Sequence, residues 1–170
     1  GSANYTWTVS APVADNNALA AFVPASAAPV IIATSPADDA TGVLVDANLV
    51  ANFSEPVAKG TGTITLKRTS DNSTVESFNV ATSPALTFIG QTLTINPTAM
   101  LDYQTGYYAL IDSTAVIDTS GGHALAGISS STAWNFTTAV PTFATWISNP
   151  AFGLAPADRD LSDDPDGDGI

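Results

Sequence analysis

The sequence contains no cysteine, and this absence removes three kinds of chemistry at once. Disulfide bonds, thiolate metal sites and cysteine nucleophiles all require a thiol. Any stability must therefore come from a packed core. A hydrophobic content of 45% in 170 residues is ample for one such core with appendages, so a disordered chain is excluded.

Basic residues and long apolar runs are also scarce. Four Lys and Arg residues stand against 16 Asp and Glu residues, giving a formal net charge of −12. Nucleic acids and anionic membranes bind basic surfaces, so we expect neither as a partner, and cations become the natural ligands. The longest apolar runs, residues 18–23 and 27–33, fall short of the about 20 residues that a membrane helix needs. We therefore expect no membrane insertion.

Side chains suited to catalysis are few. The single histidine, His123, lies in a glycine-rich loop, and a triad or zinc site would need partners close to it in space. A solvated loop histidine is the simpler interpretation. Glycosidase chemistry needs two opposed carboxylates in a cleft, and nothing in the spacing brings Glu55 or Glu76 to such a pair. The sequence predicts that the chain is not an enzyme.

What the chain does contain is a series of short segments that alternate apolar and polar residues. Alternation with a period of two is typical of half-buried antiparallel strands. Turn residues separate the segments, and the eleven prolines fall outside the strand centres. The pattern predicts an all-β, two-sheet antiparallel sandwich of about seven strands.

The clearest stretch runs over residues 101–138. It predicts two long strands joined through an Asp/Gly-rich loop, followed by a closing strand. Tyr107, Trp134 and Phe136, together with Phe53 from an earlier strand, are the predicted structural core. Tyr107 follows the turn at Leu101 and is a candidate tyrosine corner, in which the hydroxyl group bonds back to the main chain. Plain core packing is the alternative for this side chain.

Several short motifs carry a resemblance to a known family through their order and spacing. They are Ser35-Pro36 with Asp38, Asp39 and Gly42-Val43; Phe53-Ser54-Glu55-Pro56-Val57; Gly62-Thr63-Ile64-Thr65-Leu66; Leu93-Thr94-Ile95; Leu101 with Tyr107; Asp118 with Gly121 and Leu125; and Trp134-Asn135-Phe136-Thr137-Thr138. Residues 29–139 thereby resemble the SbsA-type bacterial Ig-like domain. The family usually has Gly-Asn where this chain has Gly122-His123.

The resemblance implies an Ig-like sandwich in an extracellular or cell-surface bacterial protein. It also implies a structural or adhesive spacer without catalytic residues. The expected partners are the neighbouring domains of the parent protein, and surface glycans or proteins are further candidates. The alternative is a carbohydrate-binding module appended to a polysaccharide-degrading enzyme. An exposed row of aromatic residues would favour that alternative, whereas outward threonines such as Thr63, Thr65, Thr92 and Thr94 favour the spacer.

The two ends of the chain differ from the middle. Residues 1–28 are interpreted as a cloning scar (Gly1-Ser2), an orphan strand of a preceding domain, and a linker. Residues 5–9 would then seek a sheet edge, which allows strand-mediated self-association. Residues 29–140 form the sandwich. Residues 141–170 are interpreted as a short helical turn, followed by a mostly irregular acidic connector.

The acidic connector resembles a truncated calcium loop of thrombospondin type 3 repeats and dockerins. Asp164, Asp166 and Asp168 occupy alternate positions, Gly169 permits the sharp turn, and Ile170 offers a main-chain carbonyl. The carboxylate of the twelfth position would follow residue 170. We therefore expect Ca²⁺ in the intact parent, while a solvated acidic tail stays open for this fragment.

Weaker metal candidates are Asp158, Asp160, Asp163 and, in the sandwich itself, Asp118. Asp118 belongs to a set of acidic residues at strand ends and loops, with Asp38, Asp39, Asp46 and Glu55. Such residues either gather at one end of the sandwich to hold calcium or bond locally to turns, which is their commoner role.

Overall fold

The computed structural model describes residues 27–142, and this part of the chain is built from strands without a helix. No helix there is long and apolar enough to cross a membrane. The strands are β1 (Ile31–Ser35), β2 (Ala40–Val43), β3 (Leu49–Phe53), β4 (Val57–Lys59), β5 (Thr63–Arg68), β6 (Thr74–Asn79), β7 (Leu86–Ile89), β8 (Thr92–Ile95), β9 (Gly106–Ile111), β10 (Val116–Asp118) and β11 (Asn135–Thr138).

Two sheets pack face to face and a small third sheet closes one side. The first sheet has the order β1-β3-β8-β7, and the second has the order β2-β11-β9-β5-β6. Strands β4 and β10 pair separately, with Ile117 opposite Ala58. The predicted all-β, Ig-like sandwich is confirmed.

Alternate residues of each strand supply the core between the two sheets. Leu49, Ala51 and Phe53 of β3 face inward, as the period of two predicts. The predicted core residues Phe53, Tyr107, Trp134 and Phe136 are all fully buried. The rings of Tyr107 and Phe136 stack with their centroids 5.9 Å apart. Large aromatic side chains therefore provide much of the apolar area that holds the sheets together.

Three details differ from the sequence prediction. The described residues form eleven strands rather than about seven. Of the two long strands predicted in residues 101–138, the first is β9, which contains Tyr107, but the second is only the three-residue strand β10. Residues 37–42, Ala-Asp-Asp-Ala-Thr-Gly, have the composition of a turn, but Ala40–Val43 form β2, which runs parallel to β11 with Phe136 opposite Ala40. The residues of β2 do not alternate between buried and exposed positions, and β2 forms where it pairs with β11, so its own sequence does not identify it as a strand.

The described chain begins and ends at opposite ends of the sandwich. At the proximal end, the Val30 carbonyl accepts a hydrogen bond from the N–H of Ser54, directly after β3. At the distal end, the N–H of Ala139 donates to the Val43 carbonyl, and Val140 lines a groove with residues 44–46, which precede β3. Strand β3 spans about 13 Å between these ends at about 3.3 Å per residue.

Several predictions concern residues outside the described range. The orphan strand at residues 5–9, the linker before residue 27 and the helical turn and acidic connector after residue 142 all lie there. These interpretations stay predictions.

Tyr107 forms the predicted tyrosine corner. Its hydroxyl oxygen accepts a hydrogen bond of 2.9 Å from the main-chain N–H of Asp102, five residues upstream. The ring is fully buried, and the guanidinium of Arg68, which pairs with the Asp102 carboxylate, lies 5.9 Å from the ring centroid. The hydroxyl thus fixes the turn that precedes β9 against the core.

We expect Tyr107→Phe to lower the free energy of unfolding by about 1–2 kcal/mol, because the Asp102 N–H loses its acceptor while the buried ring is kept. Urea denaturation followed by circular dichroism measures the change. The matched control is Tyr103→Phe, since Tyr103 is partly exposed on the same turn and its hydroxyl makes no such tie. Equal effects of the two substitutions would contradict the role of the corner.

Candidate functional site

The sequence-predicted metal residues divide between the sandwich and the acidic connector. Asp158, Asp160, Asp163, Asp164, Asp166, Asp168 and Ile170 lie outside the described residues, so calcium binding there stays a prediction. Within residues 27–142, no group of three or more His, Asp or Glu side chains is placed to hold a metal ion. Of the individually named candidates, Asp118 lies within the described residues.

Asp118 organises its own loop through hydrogen bonds. Its carboxylate is buried, and Oδ1 accepts main-chain N–H groups of Gly121 at 2.6 Å, Gly122 at 2.5 Å and His123 at 3.3 Å. Gly122 has a φ of +73°, a left-handed conformation that favours glycine. The Asp/Gly-rich composition of this loop is therefore what allows several N–H groups to converge on one oxygen.

The partly exposed His123 side chain contacts the second oxygen of the Asp118 carboxylate. Its Nδ1 lies 2.8 Å from Asp118 Oδ2, and 43% of the histidine side chain is exposed. Burial acts to raise the pKa of Asp118, but the hydrogen bonds from Gly121, the His123 ring and Gly122 outweigh it and hold that pKa well below its usual range. The carboxylate thus stays ionised in a buried position.

The interpretation of His123 as a solvated side chain is therefore incomplete, because its Nδ1 is hydrogen-bonded to the Asp118 carboxylate. The spacing carried a usable signal: an aspartate followed by two glycines and a histidine within five residues can fold back on itself. The observed contacts of Asp118 agree with the local-bonding interpretation of the strand-end acids. Both of its oxygens accept hydrogen bonds from its own loop.

A second group of polar contacts joins the two ends of the sandwich sequence. Asp38 Oδ1 accepts both the main-chain N–H and the side-chain Nδ2–H of Asn135, at 2.9 and 3.1 Å. The Asn135 Nδ2 group also donates to Asp39 Oδ1 at 3.0 Å, and the Asp39 N–H donates to the Asn135 carbonyl. These two acids hold β11 beside the segment that leads into β2. Sequence spacing does not reveal this, since the partners are 96 and 97 residues apart.

The surface offers little for stacking against sugars. Among residues 27–142, Tyr103 is the only aromatic side chain that is exposed, at 40%, whereas Trp134 and Tyr108 are buried. Thr63, Thr65, Thr92 and Thr94 point away from the core, as predicted. The described part of the molecule therefore has no row of exposed aromatic residues.

We expect Asp118→Asn to lower the melting temperature at pH 7, because the neutral amide loses the ionic hydrogen bonds within the loop. A carboxyl whose pKa is lowered by folding stabilises the fold above its unfolded pKa of about 3.9, and this stabilisation is lost as the pH falls further. The difference between wild type and variant should therefore shrink below about pH 4. Melting curves between pH 7 and acid pH test this.

Asp46→Asn is the matched control for that experiment, since Asp46 is an exposed loop carboxylate. It should leave the melting temperature unchanged at pH 7. A pH-independent difference between Asp118→Asn and wild type would contradict the assigned role of the ionised carboxylate.

Comparison with known proteins agrees with this geometry. No curated protein matches the sequence. The family model described as "Bacterial Ig-like domain" matches residues 25–138, a range that ends with the last residue of β11 and includes every strand of the sandwich. Domains of this family are typically non-catalytic modules of surface proteins. The chain belongs to the family of bacterial Ig-like domains.

Proposed function

We propose that the protein is a non-catalytic spacer module, of the SbsA type, in a large secreted or cell-surface bacterial protein, with a structural or adhesive role. The observation that carries this proposal is that the two ends of the described residues, 27 and 142, lie at opposite ends of the sandwich. The described chain begins beside Ser54 at the proximal end of the sandwich and leaves beside Val43 at the distal end. In a multidomain protein, a domain with this arrangement separates its two neighbouring domains by its own length.

The strand pairing suits a module that carries tension. Force applied to the two ends of the described chain acts along the strands, so it loads the β1–β3 and β2–β11 ladders in shear. In shear, the hydrogen bonds of a ladder bear the load together, whereas a transverse force breaks them one after another. The buried Trp134 and the Asp38–Asn135 contacts brace the start of β11 against such a load.

The alternative, a carbohydrate-binding module, finds less support. Stacking on a sugar ring needs exposed aromatic faces, and the described surface has Tyr103 alone. The outward positions of β5 and β8 are threonines and basic residues. These residues keep the sides of a spacer soluble without creating a binding groove.

We expect the resistance of the domain to force to depend on the direction of pulling. Because the chain contains no cysteine, pairs of introduced cysteines can serve as unique attachment points for single-molecule force spectroscopy. Ala28→Cys with Pro141→Cys pulls from opposite ends and should give one cooperative unfolding event at high force.

The matched control is Asp46→Cys with Pro141→Cys, which pulls from two points at the distal end. It should unfold at a clearly lower mean force, because the ladders then open transversely. Equal forces in the two geometries would count against a spacer built to transmit tension.

We further propose that the acidic connector binds Ca²⁺ and stiffens the junction with the following domain. The support is the spacing of Asp164, Asp166 and Asp168, which places three carboxylates at the alternate positions used by twelve-residue calcium loops. The carbonyl of Ile170 would be a fourth ligand. With a net charge of −12, the protein favours cations over anions as ligands.

Calorimetric titration with Ca²⁺ tests the connector in this chain and in one extended by the next dozen natural residues. We expect binding in the extended chain, and its loss in the pair of substitutions Asp164→Asn and Asp166→Asn. The control pair Asp158→Asn and Asp160→Asn should keep binding, and the reverse result would move the site to the weaker candidate set. An extended chain that binds no Ca²⁺ would refute the connector proposal.

A further inference from the structure

The distal end of the sandwich carries a groove with exposed apolar walls. Its volume is about 240 Å³, and its lining includes Leu44, Met100, Tyr103 and Val140. Leu44 is 67% exposed, Met100 75% and Val140 59%. A contiguous set of large apolar side chains left open to water is typical of a surface that contacts another segment or molecule.

Main-chain hydrogen bonds hold the walls of the groove in place. The N–H of Leu101 donates to the Val45 carbonyl at 2.8 Å, and the N–H of Ala139 donates to the Val43 carbonyl at 2.7 Å. The N–H of Gln104 donates to the Ala139 carbonyl at 3.0 Å. Three separate segments are thus fixed relative to one another, so little conformational entropy is lost when the groove is occupied.

The chain itself continues from this groove. Val140 and Thr142 are part of the lining, and the sequence goes on with Phe143, Trp146 and Ile147. Trp146 follows Thr142 by four residues, a reach of at most about 14 Å even when fully extended. Residues 143–154 carry no charge, and Asp46 is the one charged residue of the lining. The uncharged, largely apolar segment that follows residue 142 therefore starts directly beside the exposed apolar groove.

We propose that this groove is the docking site for residues 143–147 of the same chain, with Trp146 as the side chain that occupies it. Phe143, Trp146 and Ile147 are spaced i, i+3 and i+4, which places them on one face of a single helical turn. A cavity of about 150 Å³ accepts a benzene ring, so a groove of the observed volume has room for an indole.

A second copy of the chain is a weaker occupant. A segment tethered four residues away has an effective concentration of about millimolar or more, whereas two molecules that each carry a net charge of −12 repel one another. Eight residues line the groove, but a stable interface uses about 20–30 residues on each side. The docked segment would set the direction in which the chain leaves the sandwich.

The sole methionine of the sequence, Met100, provides a direct probe. Full-length protein labelled with ¹³C in the methionine methyl group gives one methyl resonance. We expect nuclear Overhauser cross-peaks from this methyl group to the indole protons of Trp146, unchanged on dilution. Trp146→Phe should abolish these cross-peaks and shift the methyl resonance, whereas the control Trp7→Phe should leave both unchanged.

A second measurement probes the groove from its other wall. In a Trp7→Phe background, acrylamide quenching of tryptophan fluorescence reports on Trp146, because Trp134 is fully buried. Leu44→Asp places a carboxylate in the groove and should increase the quenching constant. The matched control is Ile89→Asp, since Ile89 is 73% exposed and does not line the groove; it should leave quenching unchanged.

Three results would each overturn the proposal. The first is a Met100 methyl group without cross-peaks to Trp146, including one that contacts a different aromatic residue of the C-terminal segment. The second is a cross-peak that arises only between differently labelled molecules, which would assign the groove to a second copy. The third is equal quenching in the Leu44→Asp and Ile89→Asp proteins.

Discussion

The hydrogen bond between the indole of Trp134 and the carbonyl of Pro36 is the contact on which the arrangement of the sheets depends. The Trp134 Nε1–H donates to the Pro36 oxygen at 2.9 Å, and the tryptophan is fully buried. Pro36 lies where the chain crosses from β1 in the four-stranded sheet to β2 in the five-stranded sheet. If the buried indole N–H and the buried carbonyl lost each other as partners, each would remain without a hydrogen bond and destabilise the fold. The crossover is therefore most stable where Pro36 meets Trp134.

The position of this crossover determines the distal end of the molecule. Once Pro36 is fixed against Trp134, Asp38 and Asp39 bond to Asn135, and β2 pairs in parallel with β11. That pairing brings Val43 to the N–H of Ala139, which shapes the wall of the distal groove. The first and last motifs of the sandwich sequence therefore act as one unit, although nearly 100 residues separate them.

The sequence predicted those features that depend on neighbouring residues, and missed those that depend on distant ones. Alternation along β3, β5 and β9 identified the inward side chains, because burial of one sheet face imposes a period of two. The parallel strand β2 was missed, since it exists through contacts with β11. The contact of His123 with Asp118 was also missed, although it is local and the spacing of Asp118, Gly121, Gly122 and His123 carried a signal for it, because the histidine was interpreted as solvated. The calcium residues, which follow residue 142, remain predicted from spacing alone.

The distribution of exposed apolar residues agrees with a module that works in series. Val30 and Ile89 are exposed at the proximal end, beside Ser54 and Gly90, whereas Leu44, Met100 and Val140 are exposed at the distal end. The outward positions of the central strands β5 and β8 are threonines and a lysine instead. A domain that contacts neighbouring segments through its ends gains from apolar ends, while polar sides limit lateral association between domains. The same logic explains why the distal groove lies at the point where the chain leaves the sandwich.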